Sequence, residues 1–266
     1  MPELPEVETI RRQLAPELSQ RQVIESWTFG TGKFAAATEL DGAWFGDIGR
    51  RGKYLIIELE DGRELVVHLG MTGVIRFVDH DAPHDPHVRA WWLLDDGRRL
   101  EFKDVRRFGR LALVDAGDYS GIATLSAMGP EPFDPSFGPL DFWERLGRSN
   151  QMLKTNLLSQ RPIAGVGNIY ADEALFRARI HPAVRSISKP KAARLLETIR
   201  YVLGVSIGHG GTTLRDYRNL EGSGENQLHL VCYGRAGRPC TECGTELKGR
   251  VIDARSTSFC PSCQKR

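Results

Sequence analysis

The sequence lacks a strong charge of either sign: 36 Lys and Arg face 34 Asp and Glu over 266 residues, a net charge of +2. That is too small to announce a nucleic-acid partner, since a strongly basic domain is the usual electrostatic footprint. No apolar run approaches the ~18 residues that would suggest a membrane span, so none is expected. An export signal is also missing, because the chain opens MPELPEVETIRR, with acids where a signal would be basic and no apolar segment after them. No export and a cytoplasmic location are therefore expected. There is no internal repeat and no low-complexity tract, and cysteine is scarce, with five in all.

With 41% hydrophobic and 26% charged residues, the chain reads as globular, and its length fits two modest domains better than one large one. The small basic excess is not evenly spread. Residues 231–266 carry seven bases and three acids, leaving 29 bases and 31 acids in 1–230.

Three kinds of pattern follow one another along the chain. Val7, Ile10, Leu14 and Leu18 recur at helical spacing behind Glu6 and Glu8 in a first turn, which predicts one amphipathic helix interrupted near Pro16. From about 22 to 114 the pattern changes to short β-rich runs, VIESWTF, KYLIIEL, ELVVHL, GVIRFV, AWWLL, RLEF and RLALV. Asp61-Gly62 and Asp96-Gly97 sit between such runs as hairpin signals, so an antiparallel sandwich or barrel is expected. Pro and Gly crowd residues 129–139, where the linker belongs. Helical periodicity then covers DFWERLGRSNQMLKTNLLSQ, NIYADEALFRARI and PKAARLLETIRYVLGVSIG, with the Gly-rich turn RPIAGVG between the first two and a Gly-His-Gly-Gly stop after the last. Residues 219–229 are expected to form a flexible loop.

Four cysteines fall as Cys240-x2-Cys243 and Cys260-x2-Cys263 with sixteen residues between the pairs, the spacing of a four-cysteine zinc ribbon. Each pair can turn two thiolates towards one metal, and the intervening stretch is long enough for a β-hairpin. Disulfides fit poorly in an unexported chain. Four thiolates close the coordination shell, so one structural Zn²⁺ is expected and no catalytic one. Cys232 stands outside the pattern as an expected buried strand residue. Among the tail's bases, Arg255 sits on the hairpin shortly before Cys260 and is the candidate for touching a phosphate.

Separated segments then resemble one family, the formamidopyrimidine-DNA glycosylases: MPELPEVET at 1–9, RRGKYL at 50–55, HLGMTG at 68–73, DVRRFG at 104–109, GPEP at 129–132, AGVGNIYADEALF at 164–176, HP at 181–182, GGTTLRDY at 210–217 and the YGR-to-cysteine pattern over 233–263. The resemblance implies an α+β protein. An N-terminal helix and antiparallel β-sandwich occupy 1–130, followed by a linker at 131–139, an all-α helix–two-turns–helix domain at 140–231 and a C-terminal β-hairpin zinc finger at 232–266. It implies a base-excision DNA-repair enzyme, a bifunctional glycosylase and AP lyase for oxidised purines, acting as a monomer on damaged double-stranded DNA. No organic cofactor is implied, and the cytoplasmic location becomes nucleoid-associated.

The residue roles it implies are chemically sensible. Removal of Met1 would leave Pro2 as a secondary amine able to attack the deoxyribose C1′, with Glu3 as proton shuttle and Lys53 and Arg255 as cationic assistants. A base must leave the stack before its sugar can be reached. Met71, Arg106 and Phe108 match the family's trio that fills the gap, Arg106 facing the orphaned base. Asn168 meets a helix start suited to phosphate or to N-capping. His68, Lys154 and His84 match further DNA contacts, with His87 as the alternative to His84 because PHDPHV has one extra residue.

Two departures stand out. Members specialised for 8-oxoguanine carry an aromatic loop of the kind G-Y-F-Q where this chain reads Gly224-Glu225-Asn226-Gln227, which turns the expectation towards ring-opened formamidopyrimidines or oxidised pyrimidines. Arg215 replaces the commoner lysine in GGTTL[KR], keeping charge while altering phosphate geometry. The rival readings are an endonuclease VIII-like glycosylase, which ELPEVE argues against, and an inactive zinc-ribbon damage-binding paralogue, which should have lost Pro2, Glu3 or Lys53.

Overall fold

Leu4–Leu18 form a single helix, α1, with Pro5 in its first turn, where the missing N–H costs nothing, and Val7, Ile10, Leu14 and Leu18 fully buried along one side. The expected interruption near Pro16 does not occur. Pro16 lies in the last turn, where it removes one ladder bond, and Ser19 N–H closes the helix on Ala15 O at 3.1 Å. The computed structural model describes residues 1–30, 32–214 and 217–265. Arg215 lies outside them.

The first compact unit comprises Met1–Ser126 with His209–Glu225. Its strands are β1 (Val23–Thr28), β2 (Phe45–Arg51), β3 (Tyr54–Leu59), β4 (Arg63–His68), β5 (Gly73–Asp79), β6 (Val88–Leu94), β7 (Arg98–Asp104) and β8 (Arg110–Asp115). They build two four-stranded antiparallel sheets, ordered β1-β6-β7-β5 and β2-β3-β4-β8. One core takes α1 and the inner faces of both sheets, including Phe45, Leu65, Trp92, Leu100 and Phe102. The anticipated hairpins form at β3–β4 and β6–β7, where Gly62 and Gly97 take φ of +88° and +82°. Each loop is one residue longer than a two-residue turn. The glycine N–H instead bonds back to Leu59 O at 3.1 Å or Leu94 O at 3.0 Å.

Strand β2 carries little apolar signal, since only Phe45 and Ile48 of FGDIGRR are buried hydrophobics, and it is defined by its pairing with β3 through an irregular register. The segment 209–225, expected in the second domain, belongs to the first unit because it bonds to α1: Thr212 N–H to Glu6 Oε1 at 2.7 Å and Leu220 N–H to Gln13 Oε1 at 3.0 Å. Part of the expected flexible loop is in fact a tight turn, with Asn219 N–H bonded to Gly222 O at 2.9 Å.

The second unit comprises Ala127–Gly208 and 226–266. Helices α3 (Pro139–Gly147) and α4 (Leu153–Leu158) divide the stretch whose periodicity suggested one helix. The break falls at the polar run 148–151, and Leu153 N–H turns to Val184 O at 2.7 Å. After the turn at 161–167 come α5 (Asn168–Arg177), almost wholly buried, and the long α6 (Lys189–Gly208). Asn226–His229 form a 3₁₀ turn. Strands β9 (Lys248–Ile252) and β10 (Arg255–Phe259) make the hairpin that carries the cysteines, turning through Asp253 and Ala254 at φ of +49° and +55°. The short helix α2 (Ala123–Ser126) ends the first unit's continuous part. Among the described residues, no helix is long and apolar enough to cross a membrane.

Candidate active site and zinc centre

Pro2 is buried and leads directly into α1, while Met1 before it is 51% exposed. Glu3 is also buried, and its backbone N–H donates to Glu6 Oε2 at 2.8 Å. Because Glu6 Oε1 holds Thr212 N–H and its backbone oxygen accepts the Tyr217 hydroxyl at 3.3 Å, the N-terminal turn is tied to the 210–217 segment. Sequence reading treats Glu6 as a helix-favouring acid; the reciprocal capping geometry of an acid three residues after the cap was the available signal.

Glu8 fixes the same helix to the neighbouring hairpin. Its carboxylate binds Arg11 at 2.8 Å, Arg12 at 2.8 Å and Arg50 at 3.1 Å. Burial works to raise its pKa, but the three guanidiniums prevail and hold it at about 2. Arg50 lies at the end of β2, and Lys53, buried, lies just beyond in the β2–β3 turn, where Gly52 takes φ +56°.

His68 closes β4 with its ring 4.7 Å from that of Tyr54, and its Nδ1 accepts Gly70 N–H at 3.2 Å. Burial first, then the charges of Lys53 and Arg110, push its pKa down to about 4. The ring is thus neutral at pH 7, and its Nε2–H is the group left to donate.

Two loops bring Met71, Arg106 and Phe108 together. At Gly70, φ +63°, a Cβ would meet the Phe108 carbonyl carbon at 2.4 Å, so the loops touch backbone to backbone. Buried Asp104 joins them, accepting Thr72 Oγ1–H at 2.5 Å and Gly109 N–H at 2.7 Å, while Arg106 N–H donates to Thr72 Oγ1 at 3.1 Å. Met71 is 36% and Phe108 49% exposed, and the Arg106 guanidinium lies 4.8 Å over the Phe108 ring. Residues 105–109 form no strand, and Arg106 and Phe108 meet by stacking. Asp104 and Thr72 went unnoticed in the sequence because nothing in DVRRFG or GMTG marks which polar residues turn inward.

Beside Arg106 an open pocket of about 710 Å³ is lined by Thr72, Val74, Lys103, Arg218 and Leu220 among others. His87 is the histidine joined to this region: its carbonyl accepts Asp104 N–H at 2.9 Å and its Nδ1 is 3.5 Å from Arg89. His84 is exposed on the outer loop.

In the second unit Asn168 is the first residue of α5, with Gly167 as the cap, so the N-cap role does not hold. Its amide oxygen is buried without a hydrogen-bond partner among the described residues. Lys154 corrects an expectation: with no exposed surface, its ammonium is 2.6 Å from Asp172 and is not available to a phosphate. Arg255 is exposed at the start of β10.

The four cysteine sulfurs lie within 4.8 Å of one another. Glu242 N–H donates to Cys240 Sγ and Cys263 N–H to Cys260 Sγ, both at 3.4 Å, the backbone bonds that support thiolates at a metal. This donor set fits one structural zinc. Cys232 is buried and donates to Ser258 O at 3.1 Å; burial pushes its thiol pKa up, leaving it unreactive. Buried Glu173 anchors the start of this module by accepting the N–H groups of Val231, Cys232 and Tyr233.

Comparison with known proteins matches the Formamidopyrimidine-DNA glycosylase N-terminal domain over residues 1–111, the H2TH domain of the same enzymes over 128–218, and the zinc finger found in FPG and IleRS over 237–266. The formamidopyrimidine-DNA glycosylase of Herpetosiphon aurantiacus is 46% identical over 99% of this chain and 100% of its own. The crystal structure of the MutM (Fpg) protein from Thermus thermophilus aligns with TM-score 0.92 at 44% identity, covering 99% of this chain and 98% of that one. A Lactococcus lactis Fpg in complex with abasic-site DNA aligns with TM-score 0.92 at 34% identity over 99% of this chain and 100% of that one. With the helix, sandwich, zinc hairpin and paired loops all in place, this chain belongs to the formamidopyrimidine-DNA glycosylase family.

Proposed function

We propose that this protein is a base-excision repair enzyme, a bifunctional DNA glycosylase and AP lyase that removes oxidised purines from double-stranded DNA and acts as a cytoplasmic, nucleoid-associated monomer. The observation that carries the reading is the joining of Met71, Arg106 and Phe108 into one exposed wedge by Asp104 and the Gly70–Phe108 contact. An enzyme acting on a flipped nucleotide needs such a wedge, because extrusion costs a few kcal/mol and leaves a gap to fill.

After Met1 is removed, the Pro2 nitrogen bonds to C1′ while the bond to the base breaks, the base leaving with that electron pair and taking up a proton. The nitrogen then gives up its proton, and its lone pair breaks the C1′–O4′ bond as O4′ takes up a proton, opening the ring to a C1′ iminium. This acidifies the C2′ proton, whose loss expels the 3′ phosphate, and a second elimination expels the 5′ phosphate. Glu3 moves protons during ring opening, Lys53 and Arg255 steady the phosphates, and neutral His68 offers an Nε2–H donor. His87, tied to the Asp104 loop, is the better-placed histidine of its segment. The pocket beside Arg106 and the 218–222 turn is the candidate receptor for the extruded base. The run Gly224-Glu225-Asn226-Gln227, in place of an aromatic-containing loop, favours ring-opened formamidopyrimidines over 8-oxoguanine.

The test is borohydride trapping of Met1-processed protein on duplexes holding a formamidopyrimidine, 8-oxoguanine opposite cytosine, or an abasic site, with Pro2→Gly alongside. A trapped adduct that the variant loses or displaces supports Pro2 chemistry, and the substrate order reads the loop. No adduct on abasic DNA from protein that begins at Pro2 would overturn the lyase assignment.

A further inference from the structure

Lys154 is the least expected residue of the second unit. It sits in α4 with no exposed surface, yet bears a charge. Its ammonium donates to Ser256 O and Thr257 Oγ1, both at 2.9 Å, and lies 2.6 Å from Asp172 Oδ1 as an ion pair. Asp172, buried in α5, accepts Ser258 N–H on its other oxygen at 2.9 Å. One ion pair thus holds Ser256, Thr257 and Ser258 in succession, the residues that directly follow Arg255 along β10.

Stability alone does not explain the arrangement. Desolvating a lysine and an aspartate offsets much of what their mutual attraction returns, so the ion pair by itself adds little to the core. Fixing a register is what such a pair does best. The hairpin is two-stranded and therefore weak by itself, and among the described residues β10 pairs only with β9 along its edge. On its other side, among the described residues, the strand packs against α5, where this pair supplies the directional contacts.

We propose that Lys154 and Asp172 are positioning residues for Arg255: they set where β10 lies on α5, and hence where the Arg255 guanidinium leaves the hairpin, and they make no DNA contact themselves. This inference rests on the role given to Arg255 above.

A double-mutant cycle on the full-length, Met1-processed, zinc-loaded protein tests it. One arm is Lys154→Met with Asp172→Leu, which removes both charges and keeps the volume; the other is Arg255→Ala. Zinc content is measured first, then single-turnover strand cleavage and borohydride trapping on an abasic duplex. The paired apolar variant should keep one zinc per chain and still trap, while cleavage slows about tenfold, a coupling within the range seen for groups acting through one another. In the Arg255→Ala background the same pair should change the rate less than about twofold, which is the near-complete non-additivity expected of an effect transmitted through Arg255. Should the apolar pair lose zinc, Asp172→Asn, which keeps shape and removes one charge, must show the same dependence on Arg255.

Multiplying effects would overturn the proposal and return Lys154 to an independent role. Slowing by Arg255→Ala with no effect of the pair would overturn it while leaving the Arg255 assignment intact. If Arg255→Ala has no effect, the Arg255 assignment fails, and any slowing by the pair then comes from elsewhere, which overturns the positioning role too.

Discussion

Asp104 Oδ2 accepts the backbone N–H of Gly109 at 2.7 Å, closing the loop that carries Arg106 and Phe108, while its other oxygen takes the hydroxyl of Thr72 beside Met71. One buried carboxylate therefore holds both halves of the wedge. Asp104→Ala strands a buried N–H and a hydroxyl, a loss of about 1–3 kcal/mol, readable by urea denaturation. Excision of a lesion from duplex DNA should fall further than cleavage of single-stranded abasic DNA, which needs no extrusion. Equal losses on both substrates would mean the loop serves something other than duplex opening.

Gly70 makes a sharper test of the same geometry. A methyl group there meets the Phe108 carbonyl carbon at 2.4 Å on a backbone with φ +63°. Gly70→Ala must push the two loops apart, costing more than about 1 kcal/mol, and should weaken lesion-duplex binding while zinc content is unchanged. Wild-type affinity in this variant would show that the wedge tolerates separation of its halves.

His68 should stay neutral through the physiological range. Its pKa is lowered to about 4, below the ordinary 6.5, so the stability its neutral form provides is complete above 6.5 and is lost as pH falls towards 4. NMR of the imidazole should show no titration between pH 6 and 8, and His68→Gln, which retains a donor, should bind DNA better than His68→Ala. A midpoint near 6.5 would contradict the buried placement.

Glu8 sets an acid limit. Its folded pKa of about 2 lies under the ordinary 4.5, so its contribution is present above 4.5 and disappears as pH falls through 2. Unscreened, the shift corresponds to roughly 3 kcal/mol, and solvent around the partly buried carboxylate reduces its contribution below that. Glu8→Gln should be less stable at pH 7 and flatten the acid limb of the stability curve between those values. An unchanged acid limb would assign it to other carboxylates.

Replacing a zinc ligand should act on the second unit alone. Cys260→Ser removes a buried thiolate around which Cys232, Cys240 and Leu247 pack, so zinc and the hairpin's fold should go together. Zinc release to a chromogenic chelator and loss of DNA binding are expected, with the β-sheet circular dichroism of the first unit retained. Tight lesion binding by the metal-free variant would make the hairpin dispensable.

Some of this was legible because local rules decided it. The hairpin turns at Asp61-Gly62 and Asp96-Gly97 need only a glycine at positive φ, and α1 needs only its buried stripe. Strand β2 was not marked, since its place comes from pairing with β3 rather than from its own side chains. The helix pattern over 141–160 continued in phase through a break that distant contacts impose, such as Leu153 N–H to Val184 O.

The sequence by itself determined the zinc centre, because cysteine spacing is local and names its own chemistry, whereas Pro2, Glu3, Met71, Arg106 and Phe108 stood out only through the family resemblance of the segments that hold them. Only the tertiary structure decided that Glu6 clamps the N-terminal turn, that Asp104 unites two loops, that segment 209–225 packs with the first unit and that Lys154 faces Asp172 rather than solvent. A carboxylate or ammonium reads the same in sequence whether it meets water or a buried partner. Its partner lies tens or hundreds of residues away, and folding alone brings the two within hydrogen-bond reach.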